Sequence, residues 1–128
     1  MLGSSPVIAV VAVKDLARAK EFYGGTLGLE PDPETEDPGG VLYRNGGGTK
    51  LLVYTSGFAG GSQATAASWE VDDIESEVAA LRGKGVVFEH YDAIPGVERD
   101  GDLHSAPNLV AAWFKDPEGN ILNLVKRV

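Results

Sequence analysis

The chain has 128 residues, a formal net charge of −8 at pH 7 and a pI near 4.6. This acidity argues against nucleic-acid binding, because phosphate contacts need clustered Lys and Arg. The chain has no cysteine, which excludes disulfides, thiolate catalysis and cysteine-ligated metal sites. It shows no apolar run long enough to span a membrane and no leader pattern, so a cytoplasmic protein is predicted.

The first half of the chain begins with a strand followed by a helix. Val7 to Val13 is a continuous apolar run, which predicts a strand buried on both faces. Asp15 can cap a helix that extends to Tyr23 and is ended by glycines. The acidic, proline-rich stretch from Pro31 to Pro38 predicts a loop. Two further strands are predicted at Val41 to Arg44 and Lys50 to Thr55, flanking the turn Gly46-Gly47-Gly48.

The second half repeats this plan after a glycine-rich segment, Ser56 to Ser62. Ala64 to Val71 predicts a strand, and Asp72 with Glu75 has capping-box spacing for the helix that follows. Asp92 to Asn108 predicts a long polar loop. Further strands are predicted at Val86 to Tyr91, Val110 to Lys115 and Ile121 to Lys126.

Two motifs occur in both halves. Val13-Lys14-Asp15-Leu16 is echoed by Val71-Asp72-Asp73-Ile74, and the segment from Tyr43 to Val53 aligns with that from Phe114 to Leu124. The repeats predict an α+β fold in which two tandem β-α-β-β-β modules form a curved mixed sheet with a ligand cleft between them. The chain is then a single domain, with module 1 at 7–55, a linker at 56–63 and module 2 at 64–128.

The same motifs resemble a known family. Lys14-Asp15-Leu16 with Ala19, Phe22-Tyr23 and Leu27-Gly28-Leu29 is similar to the first module of the vicinal oxygen chelate superfamily. Trp113 to Asn120 (WFKDPEGN) resembles the hairpin that closes the second module. That superfamily includes glyoxalase I, extradiol dioxygenases, fosfomycin resistance enzymes and bleomycin resistance proteins. The resemblance implies the fold, but the members differ in chemistry.

The metal enzymes of this superfamily place one metal ligand on each of four strands. The resemblance carries these positions over to Ile8, Leu51, Ala66 and Asn123. Three of the four are hydrocarbon side chains, and an asparagine amide is a poor ligand for a divalent metal. We therefore expect no metal and no other cofactor, which disfavours glyoxalase and dioxygenase chemistry. The resemblance then favours the metal-free branch, whose bleomycin resistance proteins sequester a drug in the cleft of an acidic dimer.

Other candidate residues come from the aromatic and polar side chains. Strand alternation predicts that Trp113 lines the cleft, whereas Tyr54 lies opposite the face of Leu51. Phe58, in the linker, is either a lid residue or an exposed side chain. His104 follows two aspartates in the long loop, where a carboxylate can orient the ring. The acidic loop residues form either a solvated rim or an attractor for a cationic ligand; they are Glu34, Glu36, Asp37, Glu98, Asp100 and Asp102.

The sequence favours a metal-independent protein that binds a small molecule and sequesters an antibiotic or an apolar or cationic metabolite. One alternative is a divergent lyase- or dioxygenase-like enzyme that uses non-standard residues such as His104 or the loop acids. Another is a ligand-responsive or purely structural partner protein. We expect a homodimer with no nucleic-acid or membrane partner. No catalytic residue is predicted, and the predicted ligand-binding residues are Ile8, Leu51, Phe58, Ala66, His104, Trp113 and Asn123.

Overall fold

A computed structural model describes residues 1–33 and 39–128. The chain divides into two compact units, of which the first comprises Met1–Ser62 with Pro117–Asn120 and the second Gln63–Asp116 with Ile121–Val128. Each unit contains a mixed sheet and a helix. Within the described ranges, no helix is long and apolar enough to cross a membrane.

The first unit holds a four-stranded sheet in the order β1-β4-β3-β2. Its strands are β1 (Ile8–Val13), β2 (Glu30–Pro31), β3 (Gly40–Arg44) and β4 (Lys50–Thr55). Strands β1 and β4 are parallel, whereas the other pairs are antiparallel. Helix α1 (Leu16–Lys20) continues as a π-helical segment, Glu21–Thr26, and short 3-10 turns occupy Leu2–Ser4 and Gly46–Gly48.

The second unit follows the same plan with more strands. Its sheet runs in the order β5-β10-β9-β8-β7, and β6 pairs with β9. The elements are β5 (Thr65–Glu70), α2 (Ile74–Gly83), β6 (Phe88–Glu89), β7 (Glu98–Asp100), β8 (Leu103–Ala106), β9 (Leu109–Lys115) and β10 (Ile121–Arg127). As in the first unit, the opening and closing strands, β5 and β10, are parallel.

Both helices begin at an aspartate cap. Oδ1 of Asp15 accepts a hydrogen bond from the backbone N–H of Arg18, as predicted. In α2 the cap is Asp73, whose Oδ1 accepts from the N–H of Ser76 at 3.1 Å. The prediction of Asp72 as the cap is therefore wrong. Asp73 is the residue that aligns with Asp15 in the repeated motif, and an oxygen there reaches the third residue of the helix.

Strand β1 is buried on one face only, which contradicts the prediction from its continuous apolar run. Val11 and Val13 are each 1% exposed, whereas Ile8 is 46% and Val10 is 50% exposed. The buried face belongs to a core that includes Tyr23 and Tyr43, whose rings lie 6.2 Å apart. The alternation of burial follows the two-residue period of a strand. Hydrophobicity alone did not reveal it, because both faces carry aliphatic side chains.

The second sheet has a helix-covered face. Helix α2 packs against β9 and β10. Phe114, Ala112 and Leu122 are fully buried on one side of these strands, and the ring of Phe114 meets that of Phe88 edge-on at 5.7 Å. By strand alternation, Trp113 and Asn123 lie on the opposite side. This side is the helix-free face of the sheet.

Two predicted segments differ from the structure. The strand predicted from Val86 to Tyr91 is reduced to β6, and the predicted loop from Asp92 to Asn108 contains the antiparallel hairpin β7–β8. The hairpin was missed because its residues are polar and do not alternate with apolar ones. The acidic residues Glu34, Glu36 and Asp37 lie outside the described residues.

Candidate functional site

The helix-free face of the second sheet brings together four side chains, which we call the aromatic face: Tyr91, His104, Trp113 and Asn123. Trp113 of β9 is directly opposite Asn123 of β10, which is in turn beside Ser68 of β5. His104 enters from β8, where its backbone pairs with that of Ala111. Sheet register therefore places three of these four side chains on the same surface.

Three rings of the aromatic face contact one another around Trp113. The indole lies 4.9 Å from the ring of His104 and 5.4 Å from that of Tyr91, both in edge-to-face geometry. The rings of Tyr91 and His104 are 6.0 Å apart. The indole Nε1–H donates to Oγ1 of Thr65 at 3.1 Å, which fixes the orientation of the ring. Trp113 is partly exposed and thus presents an oriented aromatic surface.

His104 is buried, with 1% of its surface exposed. Its Nε2 accepts a hydrogen bond from the backbone N–H of Tyr91 at 2.9 Å, so the proton of the neutral imidazole lies on Nδ1. Burial lowers the pKa of His104. The nearby backbone groups of Ala111 and Asp102 raise this pKa, whereas the positive charge of Arg99 lowers it further. The expectation of a loop histidine is wrong, because the residue lies within β8.

Three polar atoms of the aromatic face are buried and have no hydrogen-bond partner among the described residues. They are Oη of Tyr91, Nδ1 of His104 and Oδ1 of Asn123. Asn123 is 8% exposed. Burial, reinforced by the charge of Glu89 and opposed by that of Lys115, raises the pKa of Tyr91, so its hydroxyl stays protonated at neutral pH. Native proteins leave few buried polar groups unpaired, so this cluster of three is a candidate for ligand binding.

The charged residues around this face are largely paired with each other. Lys115 lies 3.2 Å from Glu89. Asp102 binds both Arg82 at 2.9 Å and the ring of His90 at 2.8 Å. Of the predicted acidic rim, Asp102 is thus neutralised, whereas Glu98 and Asp100 are exposed on the edge strand β7.

Sequence reasoning missed Tyr91. It lies beyond β6, and its position depends on the hydrogen bond to His104, which is distant in sequence. A tyrosine after a short strand carries no periodic signal of its own, so only the tertiary fold reveals its contact with Trp113.

Three of the remaining predicted site residues, Ile8, Leu51 and Phe58, belong to the first unit, and the fourth, Ala66, belongs to β5. Ile8 is half-exposed on β1, and Phe58 is 98% exposed in a turn of the first unit. Leu51 was predicted to share a face with Ile8. That is wrong, because Ile8 pairs with Lys50 while Leu51 pairs with Ala9 and is 2% exposed in the core. Ala66 is exposed on β5, two residues from Ser68.

The donor set does not fit a metal ion. The positions carried over from the metal enzymes hold Ile8, Leu51, Ala66 and Asn123, and the residue after Leu51, which alternation places on the side of Ile8, is also a leucine. A hydrocarbon side chain has no lone pair to offer a divalent cation. Among residues 1–33 and 39–128, no group of three or more His, Cys, Asp or Glu side chains could hold a metal.

Comparisons with known proteins agree with the duplicated fold. The family profile described as Glyoxalase/Bleomycin resistance protein/Dioxygenase superfamily matches residues 6–124. The solved structure of a member of that superfamily from Sphaerobacter thermophilus DSM 20745 is 25% identical, with a TM-score of 0.71 over 99% of this chain and 100% of that chain. These matches confirm the predicted α+β vicinal oxygen chelate fold.

Two other similar structures have lower identity and support the fold alone. One is TnmS3, an antibiotic binding protein from Streptomyces sp. CB03234, with 20% identity and a TM-score of 0.65 over 98% of each chain. The other is lactoylglutathione lyase from Agrobacterium tumefaciens, with 17% identity and a TM-score of 0.66 over 95% of this chain and 93% of that chain. No curated protein sequence matches the chain.

Proposed function

Because the chain belongs to the glyoxalase/bleomycin resistance protein/dioxygenase superfamily, we propose that it binds a small, planar, partly apolar molecule on the aromatic face without a metal ion. The observation that carries this proposal is the partly exposed indole of Trp113, which Thr65 holds beside polar atoms of Tyr91 and Asn123 that have no partner in the described part of the chain. Small-molecule sites are mainly apolar and contain a few polar groups in fixed positions. The aromatic face has both features.

Trp113 supplies the apolar contact in this proposal. The His104 and Tyr91 rings already contact the indole in edge-to-face geometry, so little side-chain freedom of Trp113 remains to be lost on binding. An aromatic surface that is fixed before the ligand arrives favours stacking with a planar molecule.

Asn123 supplies orientation. Its Oδ1 is buried with no partner among residues 1–33 and 39–128, and it accepts a hydrogen bond from a ligand N–H or O–H group that reaches it. A polar group in an apolar site contributes specificity, because a ligand without the matching donor leaves it unpaired.

We further propose that binding serves to sequester the ligand, an antibiotic or an apolar or cationic metabolite. TnmS3 shows that this fold is compatible with antibiotic binding. A net charge of −8 attracts cations in general. Because Asp102 is already engaged by Arg82 and His90, we expect aromatic surface to contribute more to affinity than ligand charge.

The alternative, a divergent enzyme with His104 as a base, is less compatible with the geometry. Nε2 of His104 is occupied by the Tyr91 N–H, and the ring is 1% exposed. A general base must reach the proton that it abstracts, and this imidazole has no free basic nitrogen.

Fluorescence titration tests the proposal. The chain has two tryptophans, so Trp69→Phe isolates the emission of Trp113, and Trp113→Phe is the matched control. A panel of planar neutral and planar cationic aromatic compounds should quench Trp113 emission in a saturable manner. If compounds bind by calorimetry but quench only Trp69, or if no compound in the panel binds, the site assignment is wrong.

Metal independence has its own test. We expect elemental analysis of the purified protein to show no stoichiometric zinc, nickel, manganese or iron, and added metal to leave ligand affinity unchanged, because the carried-over positions lack donors. One equivalent of tightly held metal that is lost in Asn123→Ala would overturn this expectation.

We also propose that two chains associate. β1 lies at the edge of its sheet, and Val7, Ile8 and Val10 are 85%, 46% and 50% exposed. An exposed apolar edge strand without a charged residue favours pairing with another chain. Sedimentation at tens of micromolar (roughly the range for stable interfaces) should show a dimer for the parent protein and a monomer for Val10→Lys. A parent protein that is a monomer would contradict the proposal.

A cytoplasmic location remains a prediction, which cell fractionation can test.

A further inference from the structure

The two histidines of the chain have contrasting environments. The side chain of His90 is 45% exposed and its Nε2 lies 2.8 Å from Oδ1 of Asp102, a contact that tolerates a protonated ring. His104 is 1% exposed, and its Nε2 accepts the backbone N–H of Tyr91 at 2.9 Å. A nitrogen that accepts a hydrogen bond has its lone pair engaged and carries no proton.

Protonation of His104 is incompatible with this hydrogen bond. A proton on Nε2 turns the acceptor into a donor that faces another donor, the Tyr91 N–H. It also places a positive charge in a buried position, which is costly without a paired anion. The Tyr91 N–H therefore has an acceptor on this ring only while Nε2 is unprotonated.

This hydrogen bond links β8 to the segment that carries Tyr91. The Tyr91 ring contacts both Trp113, at 5.4 Å, and His104, at 6.0 Å. Because residue 91 lies beyond the end of β6, no ladder of that strand holds it. Loss of the His104 acceptor therefore releases the Tyr91 ring, which contacts the indole of Trp113.

We propose that His104 is a positioning residue that acts as a pH-sensitive latch: the neutral imidazole holds Tyr91 against Trp113, and protonation releases it. The aromatic face is complete above the transition and loses the Tyr91 contact below it. The consequence for ligand affinity rests on the proposed function, whereas the latch itself does not.

The charges around His104 favour the neutral form. Arg99 is its cross-strand partner on β7, and its positive charge lowers the pKa of His104, as does that of His90. The facing residues of β9, Ala111 and Trp113, carry no charge. Asp102 is paired with Arg82 and His90, and Asp92 is paired with Arg99.

The direction of the pH dependence follows from proton linkage. A released imidazole has a pKa near its ordinary value of about 6.5, while the latched ring has a lower pKa. The released state therefore binds more protons, and acid favours it. The latch is fully stable above about pH 6.5 and weakens as the pH falls from there to the pKa of the latched ring.

Proton NMR of the wild-type protein tests the latch without a ligand, because the two histidines give two imidazole titrations. We expect His104 to titrate below its ordinary value of about 6.5 and the Tyr91 amide resonance to follow the His104 titration. The protection factor of the Tyr91 amide should fall by up to about tenfold per pH unit in that window, which is the limit for one linked proton. A Tyr91 amide that follows His90 instead, or that is unaffected by pH between 7 and 4 (roughly the range that spans the transition), would overturn the proposal.

Variants separate the latch from a merely structural role. His104→Gln keeps an acceptor at the end of the side chain but does not titrate, so we expect it to keep Tyr91 protected at all pH values. His90→Gln is the matched control and should retain a transition, moved to slightly higher pH because the charge of His90 lowers the pKa of His104. If His104→Gln still shows that transition, or if His90→Gln abolishes it, the assignment to His104 is wrong.

Ligand affinity then reports on the consequence, with a compound that quenches Trp113 at pH 8. Its dissociation constant should rise on acidification in the wild type and in His90→Gln, but not in His104→Gln. If the NMR transition occurs and affinity is constant, the latch stands but its link to the site fails. If no compound binds, the proposed function fails and the NMR result still decides the latch.

Discussion

The helix-free side of the first sheet carries exposed aliphatic residues, whereas that of the second carries buried polar atoms. In the first unit, Ile8 and Val10 are about half exposed and Tyr54 is 36% exposed. In the second, His104 and Asn123 are almost fully buried, and each has a polar atom with no partner among the described residues. The two halves of a duplicated fold can therefore keep the same parallel opening and closing strands while the helix-free faces of their sheets carry different side chains.

This difference shows that a repeated fold does not imply a repeated site. Both helices start at an equivalent aspartate, and each sheet has one buried face whose core includes aromatic side chains. The aromatic face, however, also depends on the hairpin β7–β8, which supplies His104 and has no counterpart among the described residues of the first sheet.

The largest effect is expected in the core of the first sheet. Leu51→Ala should lower the free energy of unfolding by about 2–5 kcal/mol, because Leu51 is 2% exposed and its removal leaves a cavity. Ile8→Ala, in the neighbouring strand, should cost less than about 1 kcal/mol, since the side chain is half exposed. Chemical denaturation measures both. Equal losses would contradict the register that separates the two residues.

The next effect concerns where the ligand binds. Trp113→Ala should weaken binding of a planar compound by about 1–3 kcal/mol, if the indole stacks on the ligand. Tyr54→Ala is the matched control on the first sheet and should leave the affinity unchanged. Calorimetry with both variants distinguishes the faces. A loss confined to Tyr54→Ala would transfer the proposed site to the first unit.

The smallest effect separates stability from binding. Asn123→Leu removes a buried amide oxygen that has no partner in the described structure, so the free energy of unfolding should stay the same or rise by about 1 kcal/mol. Affinity for a ligand with an N–H or O–H donor should fall, while that for an equally planar hydrocarbon should not. Thermal unfolding and a pair of such compounds check this. A destabilised variant would show that the amide already has a structural role.

The sequence predicted most of the architecture. The repeated motif around Asp15 and Asp73 indicated the duplication, and the strand predicted at Lys50 to Thr55 has the observed bounds. The hairpin motif from Trp113 to Asn120 pointed to the superfamily that the profile match confirms. These features could be predicted because turn glycines, helix caps and short strands depend on residues that are close together in the sequence.

The candidate site was only partly predictable. Trp113 and Asn123 were named from motif and alternation, and sheet register pairs them directly. Leu51 was assigned to the wrong face, because a one-residue error in register reverses every side chain of a strand. His104 was placed in a loop and Tyr91 was not named. Their contact depends on a hairpin without apolar alternation and on a hydrogen bond between segments that are apart in sequence.

Residue identity and short-range pattern were sufficient to predict the duplicated β-α-β-β-β plan and the lack of metal ligands at the carried-over positions. Which face of each strand is buried, and which polar atoms have no partner in the described chain, became visible only in the folded structure. Burial and hydrogen-bond pairing are set by strand register and by contacts between distant segments. For that reason the contacts of His104 and Tyr91 with Trp113 follow from the fold and not from any motif.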